Sequence, residues 1–256
     1  MKIITLTFTL ITMFIGSATA QSDIIFRSGF EIPVFILKLN DTGITAAVEY
    51  PFGNNDDCSS VTISAPQDCN SGRDASNNDP SDGHAGFSFI KLDASGNPLF
   101  DQTVAYGITP WACVHDNVTG LVWEIKTTSP GSLHYNQKNY PWGGLTAIGI
   151  NHPNRQGTYH DDWNVLVEGS NEDNLCGYGN WRVPTVAEYS SIINKSQLSP
   201  ALDTNYFPNT AFSWYWTSSP IAGSADGAWA IGDYDGIDFY KFRTNLGHVR
   251  LVRSGQ

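Results

Sequence analysis

The sequence predicts an α+β fold that is rich in loops, with short antiparallel strands and few helices. Short apolar runs recur along the chain, separated by stretches of Gly, Asn, Asp and Ser that favour turns. One helix start is strongly specified, at Thr185, and the hairpin dipeptide Asp235-Gly236 separates two apolar runs near the C-terminus. No internal repeat or heptad pattern is present, so a repeat architecture or a coiled coil is not indicated.

The chain begins with the features of a secretory signal peptide. Lys2 precedes an apolar run from Ile3 to Ile15, and the small residues Ala18-Thr19-Ala20 follow it. We predict cleavage after Ala20 and a secreted, periplasmic or cell-surface location. No cysteine follows the predicted cleavage site directly, and no later apolar run approaches the roughly 20 residues of a membrane span. Neither a lipid anchor nor a membrane span is therefore predicted.

Two regions are expected after this signal peptide at residues 1–20. Residues 21–110 are rich in Asn and Asp and are predicted to be mainly β-strand and loop, whereas residues 111–256 are predicted to form a second domain. Apolar runs and turn residues predict strands at 32–39, 87–92, 98–105, 121–125, 215–218, 228–231, 238–242 and 248–253, and helices at 162–167 and from Val186 to about Asn194 or Lys195. Residues 87–92 and 98–105 are expected to pair as a hairpin.

The stretch from Asn174 to Ile193 carries the densest local information. Thr185 and Glu188 have the spacing of a capping box, in which each side chain hydrogen-bonds the other residue's backbone N–H. Trp181 brings a large apolar surface, and Arg182 can pair with Glu188. We therefore predict a structural role for Trp181, Arg182, Pro184, Thr185 and Glu188.

The chain contains four cysteines, Cys58, Cys69, Cys113 and Cys176, all after the predicted signal peptide. An even number of cysteines in an exported protein favours disulfides, and three pairings are possible. We favour Cys58 with Cys69 and Cys113 with Cys176. The spacing needed for a zinc site is absent from the sequence.

Charge narrows the possible partners. The formal net charge is −11, and most of the acidic excess precedes residue 113. Such a surface disfavours nucleic acid and anionic membranes as partners, but it is compatible with divalent cations. The loop residues Asp74, Asn77, Asp79 and Asp82 offer several oxygens at close spacing, so calcium is a possible ligand there, although the spacing is not that of an EF-hand and no cofactor is required.

Several motifs, in a specific order, resemble the collagen-like adhesin C-terminal domain family, Lcl_C. These motifs are Trp111-Ala112-Cys113, DNVTGLVWE from Asp116, LCGYGNWRVPTVAEY from Leu175, YFPNT from Tyr206, YWTSSP from Tyr215 and VRLVRSGQ from Val249. The WRVPTVAEY segment is also similar to a motif of formylglycine-generating enzymes. The resemblance implies a C-type-lectin-like fold over residues 111–256 and attachment to a glycan or a surface. The acidic balance departs from what binding of a sulfated ligand needs.

Aromatic and basic residues near the C-terminus are the candidate ligand-binding residues. Exposed aromatic rings can stack on sugars, and a cluster of cations can hold an anion. We predict ligand binding by Trp214, Trp229, Tyr234, Tyr240, Lys241, Arg243, His248 and Arg250. A buried and paired Arg250 is the alternative.

The sequence offers little support for catalysis. It contains no G-x-S-x-G elbow, no HExxH motif and no cysteine near the C-terminal strands of the kind that formylglycine-generating chemistry requires. We expect a non-catalytic binding protein that is secreted or on the cell surface. The alternatives are an exported hydrolase that acts on polysaccharide through loop carboxylates such as Asp161 or Asp233, and a structural module of a surface assembly.

Overall fold

The computed structural model describes residues 40–45, 47–49, 53–55, 72–73, 79–143 and 162–255, with the backbone alone at 47–49, 53–55 and 162. The chain from Leu37 to Gln256 forms one compact unit. The predicted signal peptide, the predicted strand at 32–39, Cys58, Cys69, Asp74, Asn77 and Asp161 lie outside the described residues.

Short strands and helices alternate with long turns, as expected for an α+β protein. In chain order the elements are β1 (Ala47–Glu49), β2 (Gly53–Asn55), β3 (Phe89–Leu92), β4 (Cys113–Asp116), β5 (Leu121–Glu124), α1 (Asp162–Glu172), α2 (Val186–Ser190), β6 (Trp214–Pro220), β7 (Gly227–Gly232), β8 (Asp238–Phe242) and β9 (Val252–Ser254). A single 3₁₀ turn, Leu175–Gly177, precedes α2.

The strands form separate antiparallel sheets. One sheet has the order β3-β4-β5-β9, a second has the order β6-β7-β8, and β1 pairs with β2. The β4–β5 connection is a tight turn because Asp116 Oδ1 accepts the Val118 and Thr119 backbone N–H groups, and Gly120 adopts a φ of 72°. Since β3 pairs with β4, residues from before position 111 belong to the same sheet as residues after it.

The predicted strand at 98–105 is wrong. Only an isolated bridge joins Leu92 to Pro98, and the following residues form turns. Beyond that bridge, the Gln102 side chain makes the hydrogen bonds to the Lys91 backbone that a neighbouring strand would make. Its Oε1 accepts the Lys91 N–H at 2.7 Å, and its Nε2 donates to the Lys91 carbonyl at 3.1 Å. On the edge of β3 that does not face β4, the Lys91 backbone groups are therefore satisfied without a further strand.

Both predicted helices are found, with different ends. α1 continues to Glu172, beyond the predicted end at residue 167. α2 ends at Ser190, before the predicted Asn194 or Lys195. The Ser191 hydroxyl donates to the Glu188 carbonyl at 2.7 Å, a local bond that competes with continuation of the helix.

Aromatic side chains fill the core between these elements. Trp123 of β5, Tyr189 of α2 and Tyr215 of β6 are fully buried. The Tyr189 ring centroid lies 5.9 Å from that of Trp123 and 5.7 Å from that of Tyr215. Ile231 of β7 packs in the same cluster, so this core contains side chains from the β3-β4-β5-β9 sheet, the β6-β7-β8 sheet and α2.

The predicted structural motif has the expected form. The Thr185–Glu188 capping box is present, and Arg182 makes two hydrogen bonds to the Glu188 carboxylate, at 2.5 and 2.8 Å. Cys113 and Cys176 form a disulfide. Trp181 is buried, and its Nε1 donates to the Leu175 carbonyl at 3.0 Å. The disulfide therefore joins the 3₁₀ turn before α2 to β4, and the capping box fixes the start of α2.

Candidate functional site

The predicted ligand-binding residues lie on and around the β6-β7-β8 sheet, but on different faces. In register, Trp229 of β7 lies opposite Tyr240 of β8, whereas Ala228 lies opposite Lys241. Because successive side chains alternate between faces, Trp229 and Tyr240 share one face and Lys241 lies on the other. No single surface therefore presents all the predicted residues.

An exposed aromatic surface lies at the outer strand of this sheet. Tyr240 and Phe242 are 42% and 48% exposed, and their ring centroids are 5.1 Å apart. Trp229 is half-buried beside Tyr240. We call Trp229, Tyr240 and Phe242 the aromatic edge. Gly227 leaves room for it, since a Cβ at that position would collide with the Tyr240 ring.

The opposite face of the sheet carries a cation over aromatic rings. Lys241 Nζ lies 5.4 Å from the Trp214 ring centroid and 5.2 Å from that of Phe239. Trp214 itself packs edge-on against the buried Trp216 at 4.8 Å. Contacts within the protein therefore cover part of the Trp214 and Lys241 side-chain surfaces.

Tyr234 lies in the turn between β7 and β8. Its ring centroid is 6.0 Å from that of Phe212, and both residues are exposed. Phe212 was not among the predicted ligand-binding residues. Phe212 precedes β6, so this exposed pair of rings joins two separate loops, and among the described residues no ring contact connects the pair to the aromatic edge.

The expected basic patch is corrected by the structure, because Arg243, His248 and Arg250 are buried. The Arg243 guanidinium lies 4.0 Å from the Trp142 ring centroid, and its Nε donates to the Gly227 carbonyl. His248 Nδ1 lies 3.0 Å from the Lys138 carbonyl oxygen, and burial lowers the pKa of His248. These side chains are not available to a large ligand.

Arg250 is instead an internal anchor. It is 0% exposed, and it donates to the Glu124 carbonyl at 2.9 Å and to Thr210 Oγ1 at 2.8 Å. The Tyr189 and Tyr215 side chains and the Asp233 carboxyl group lie in the same interior. Of the alternative considered for Arg250, the burial is confirmed; among the described residues its hydrogen bonds go to a carbonyl and a hydroxyl, and it forms no ion pair with a carboxylate.

Asp233, a candidate carboxylate for glycoside hydrolysis, is also buried. The Tyr189 hydroxyl lies 3.0 and 3.2 Å from its two carboxylate oxygens and donates to them. Burial raises the pKa of Asp233 to about 7, although Arg250 and the Tyr189 hydrogen bond lower it. A polysaccharide cannot reach this carboxylate in the folded protein, so its role is internal.

The acidic loop is described only in part. Asp79 Oδ1 accepts the Ser81 backbone N–H at 2.9 Å, and Asp82 Oδ2 accepts the Ser88 hydroxyl at 2.5 Å. Within the described part of the chain, no group of three or more His, Cys, Asp or Glu side chains is placed to hold a metal ion. A calcium site that includes Asp74 and Asn77 stays a prediction.

A cleft of about 530 Å³ lies away from all the predicted ligand-binding residues. One wall comes from Pro80, Ser81, Gly83, His84 and residues 102–106, and the other from Gln197 and residues 203–206. Lys91, Trp111 and Asp203 contribute to its lining. Sequence reasoning missed this cleft. The available signal was a lysine flanked by Ile90 and Leu92 in an apolar strand.

The comparison with known families decides the assignment of the chain. The model of the Lcl C-terminal domain matches residues 112–253, more than half of the chain. The chain belongs to the Lcl C-terminal domain family. No match was found among the curated proteins.

The match divides the candidate sites between two parts of the chain. The Lcl C-terminal domain contains the Cys113–Cys176 disulfide, the capping box and the aromatic edge. Strand β3 and the cleft wall at 80–106 precede the matched residues. In the described residues, no helix combines the length and apolar character needed to cross a membrane.

Proposed function

We propose that this protein is a secreted or cell-surface, non-catalytic binding protein that recognises a glycan or another surface macromolecule. The observation that carries the proposal is the aromatic edge, an exposed pair of rings on an outer strand of a domain whose family is of the adhesin type. In this proposal the signal peptide is removed after Ala20, residues 21–110 form an N-terminal region and residues 111–256 form a C-type-lectin-like domain.

The chemistry of the aromatic edge suits a sugar ring. Tyr240 and Phe242 alternate with Lys241 along β8, so both rings point to the same side of the strand. Covering water-exposed apolar rings with the face of a sugar lowers the free energy, because apolar surface is removed from water. Asp238 precedes Tyr240 by two residues on the same face and is exposed, so its carboxylate is positioned to accept sugar hydroxyl groups.

Charge favours a neutral ligand over a sulfated one. The net charge of the chain is −11, and the Arg243 and Arg250 side chains are buried. A sulfated polymer would meet Asp238 beside the aromatic edge and a negative field around the protein. We therefore expect a neutral glycan to bind more tightly than its sulfated counterpart.

A glycan array probed with the purified protein, with and without calcium, tests the proposal. We expect binding to at least one neutral glycan, and a loss of about fivefold or more in affinity for Tyr240→Ala or Phe242→Ala, since a stacked ring contributes on the order of 1 kcal/mol. Phe100→Ala is the matched control, because Phe100 is also exposed but lies outside the aromatic edge.

Two results would contradict the proposal. The first is no binding above background to any glycan or to any macromolecule captured from the native envelope. The second is binding that the Tyr240→Ala and Phe242→Ala variants retain in full. Circular dichroism and thermal unfolding of each variant separate loss of the ligand contact from loss of the fold.

A further inference from the structure

The cleft is built from parts of the chain that are distant in sequence. Lys91 of β3 contributes to its lining, and so does Asp203, in the loop that follows α2. Trp111 and Tyr206 pack beside Lys91. Because residues 80–106 precede the Lcl C-terminal domain and Asp203 lies within it, only the two regions together form this cleft.

The ammonium group of Lys91 is buried with few partners. Lys91 is 4% exposed, and its Nζ donates to the Val104 carbonyl at 3.0 Å. The Trp111 and Tyr206 ring centroids lie 4.4 and 5.2 Å from Nζ. An ammonium group has three donors, so the described residues leave part of its capacity for a ligand. Burial lowers the pKa of Lys91, against attraction by Asp203 and Asp101.

Asp203 provides the opposite charge in the same cleft. It is 8% exposed, and its Oδ1 accepts the Asn205 backbone N–H at 3.0 Å. Among the described residues its carboxylate forms no ion pair with Lys91, although it attracts that charge. A buried cation and a buried anion thus line one cavity without direct contact, and each keeps hydrogen-bonding capacity.

The walls of the cleft are held in place by hydrogen bonds. The Gln102 amide binds both backbone groups of Lys91. Trp111 Nε1 donates to the Tyr206 carbonyl at 2.9 Å, and the Tyr206 hydroxyl donates to the Ser81 carbonyl at 3.1 Å. These bonds fix both walls before a ligand arrives, which lowers the entropy cost of binding.

We propose that this cleft binds a free α-amino acid, with the carboxylate of the ligand held by Lys91 and its ammonium group held by Asp203. A ligand with only a negative charge would be repelled by Asp203, and one with only a positive charge would be repelled by Lys91. A neutral sugar would offer no opposite charge to either Lys91 or Asp203, so it would form weaker hydrogen bonds with both groups. The cavity of about 530 Å³ leaves room for the side chain of the amino acid as well.

Isothermal titration of the purified protein with each common L-amino acid tests this assignment. We expect at least one to bind at millimolar concentration or below. The methyl ester of that amino acid lacks the carboxylate charge, and its N-acetyl form lacks the ammonium charge. Each should bind about tenfold or more weakly, because each lacks one charged hydrogen bond to the cleft.

Protein variants provide the second arm of the experiment. Asp203→Asn keeps an acceptor for the Asn205 N–H and removes the charge, and Lys91→Met keeps the side-chain length. Both should lose binding, whereas Lys138→Met, a half-buried lysine outside the cleft, should retain it. If Lys91→Met fails to fold, Asp203→Asn and the capped ligands still decide the question.

Three results would overturn the assignment. One is that no amino acid binds, and another is that the ester and the N-acetyl form bind as well as the free amino acid. The third is that methyl glycosides compete for the cleft and lose affinity in Asp203→Asn, which would make the cleft a sugar site. Because the aromatic edge contributes nothing to this cleft, failure here leaves the glycan proposal standing.

Discussion

The buried carboxylate of Glu124 governs how this fold responds to acid. Glu124 is fully buried, and its oxygens accept hydrogen bonds from Lys126 Nζ at 2.6 Å, His134 Nδ1 at 2.7 Å and the Leu251 N–H at 2.7 Å. Burial alone raises the pKa of Glu124, but Lys126 and His134 outweigh it and lower the pKa to about 2. The folded protein therefore binds this proton less tightly than the unfolded chain does.

The size and sign of the effect follow from that difference in pKa. An unfolded glutamate titrates at a pKa of 4.5, so the folded-state pKa of about 2 corresponds to about 3 kcal/mol of stability at about 1.4 kcal/mol for each pH unit. This stabilisation is present above about pH 4.5. It is lost as the pH falls through about 2.

Glu124→Gln should remove this stabilisation and place an amide N–H₂ group among donors. Breaking a buried ion pair leaves Lys126 without its counter-charge, so we expect the free energy of unfolding at pH 7 to fall by about 3–5 kcal/mol. The fall in the free energy of unfolding that Glu124 causes between about pH 4.5 and about pH 2 should disappear. Urea denaturation followed by tryptophan fluorescence at a series of pH values measures both quantities.

An exposed carboxylate provides the matched control for this change. Glu172→Gln, at the end of α1, should alter the free energy of unfolding by less than about 0.5 kcal/mol. The reasoning is refuted if Glu124→Gln costs less than about 1 kcal/mol at pH 7, or if the variant keeps the acid dependence of the parent protein.

Two further predictions concern the disulfide and the buried Asp233. Replacing Cys113 and Cys176 together with serine should lower the free energy of unfolding by about 4 kcal/mol in urea, because the bond joins residues 63 positions apart; a cost below about 1 kcal/mol would contradict this. Since burial raises the folded-state pKa of Asp233 to about 7, from 3.8 in the unfolded chain, Asp233 makes stability fall as the pH rises from about 4 to about 7. Asp233→Asn should flatten that part of the Tm profile measured by calorimetry, and an unchanged profile would count against the assignment.

Local patterns predicted the parts of the fold that depend on neighbouring residues. The Thr185–Glu188 capping box, β8 at 238–242 and the Asp235-Gly236 turn are as expected, because a few adjacent residues determine them. The predicted strand at 98–105 was wrong, and the reason is a tertiary contact. The side chain of Gln102 satisfies the β3 backbone there, which no periodic pattern reveals.

The candidate site was harder to predict than the fold. Trp229 and Tyr240 do lie side by side on β7 and β8, as a short antiparallel sheet of aromatic residues suggested. Arg243, His248 and Arg250 follow them closely in sequence, but their side chains point into the interior. A run of basic residues does not show which members turn inward, since that depends on buried acceptors such as the Glu124 carbonyl.

The sequence by itself determined the family, the class of fold and the helix start at Thr185, because these depend on motif order and short-range spacing. It also provided the cysteines, but the fold decided that Cys113 meets Cys176. Only the tertiary structure brought Lys91 and Asp203 into one cleft, and only it buried Arg250. Both outcomes depend on contacts between residues far apart in sequence, where burial and long-range hydrogen bonds outweigh local preference.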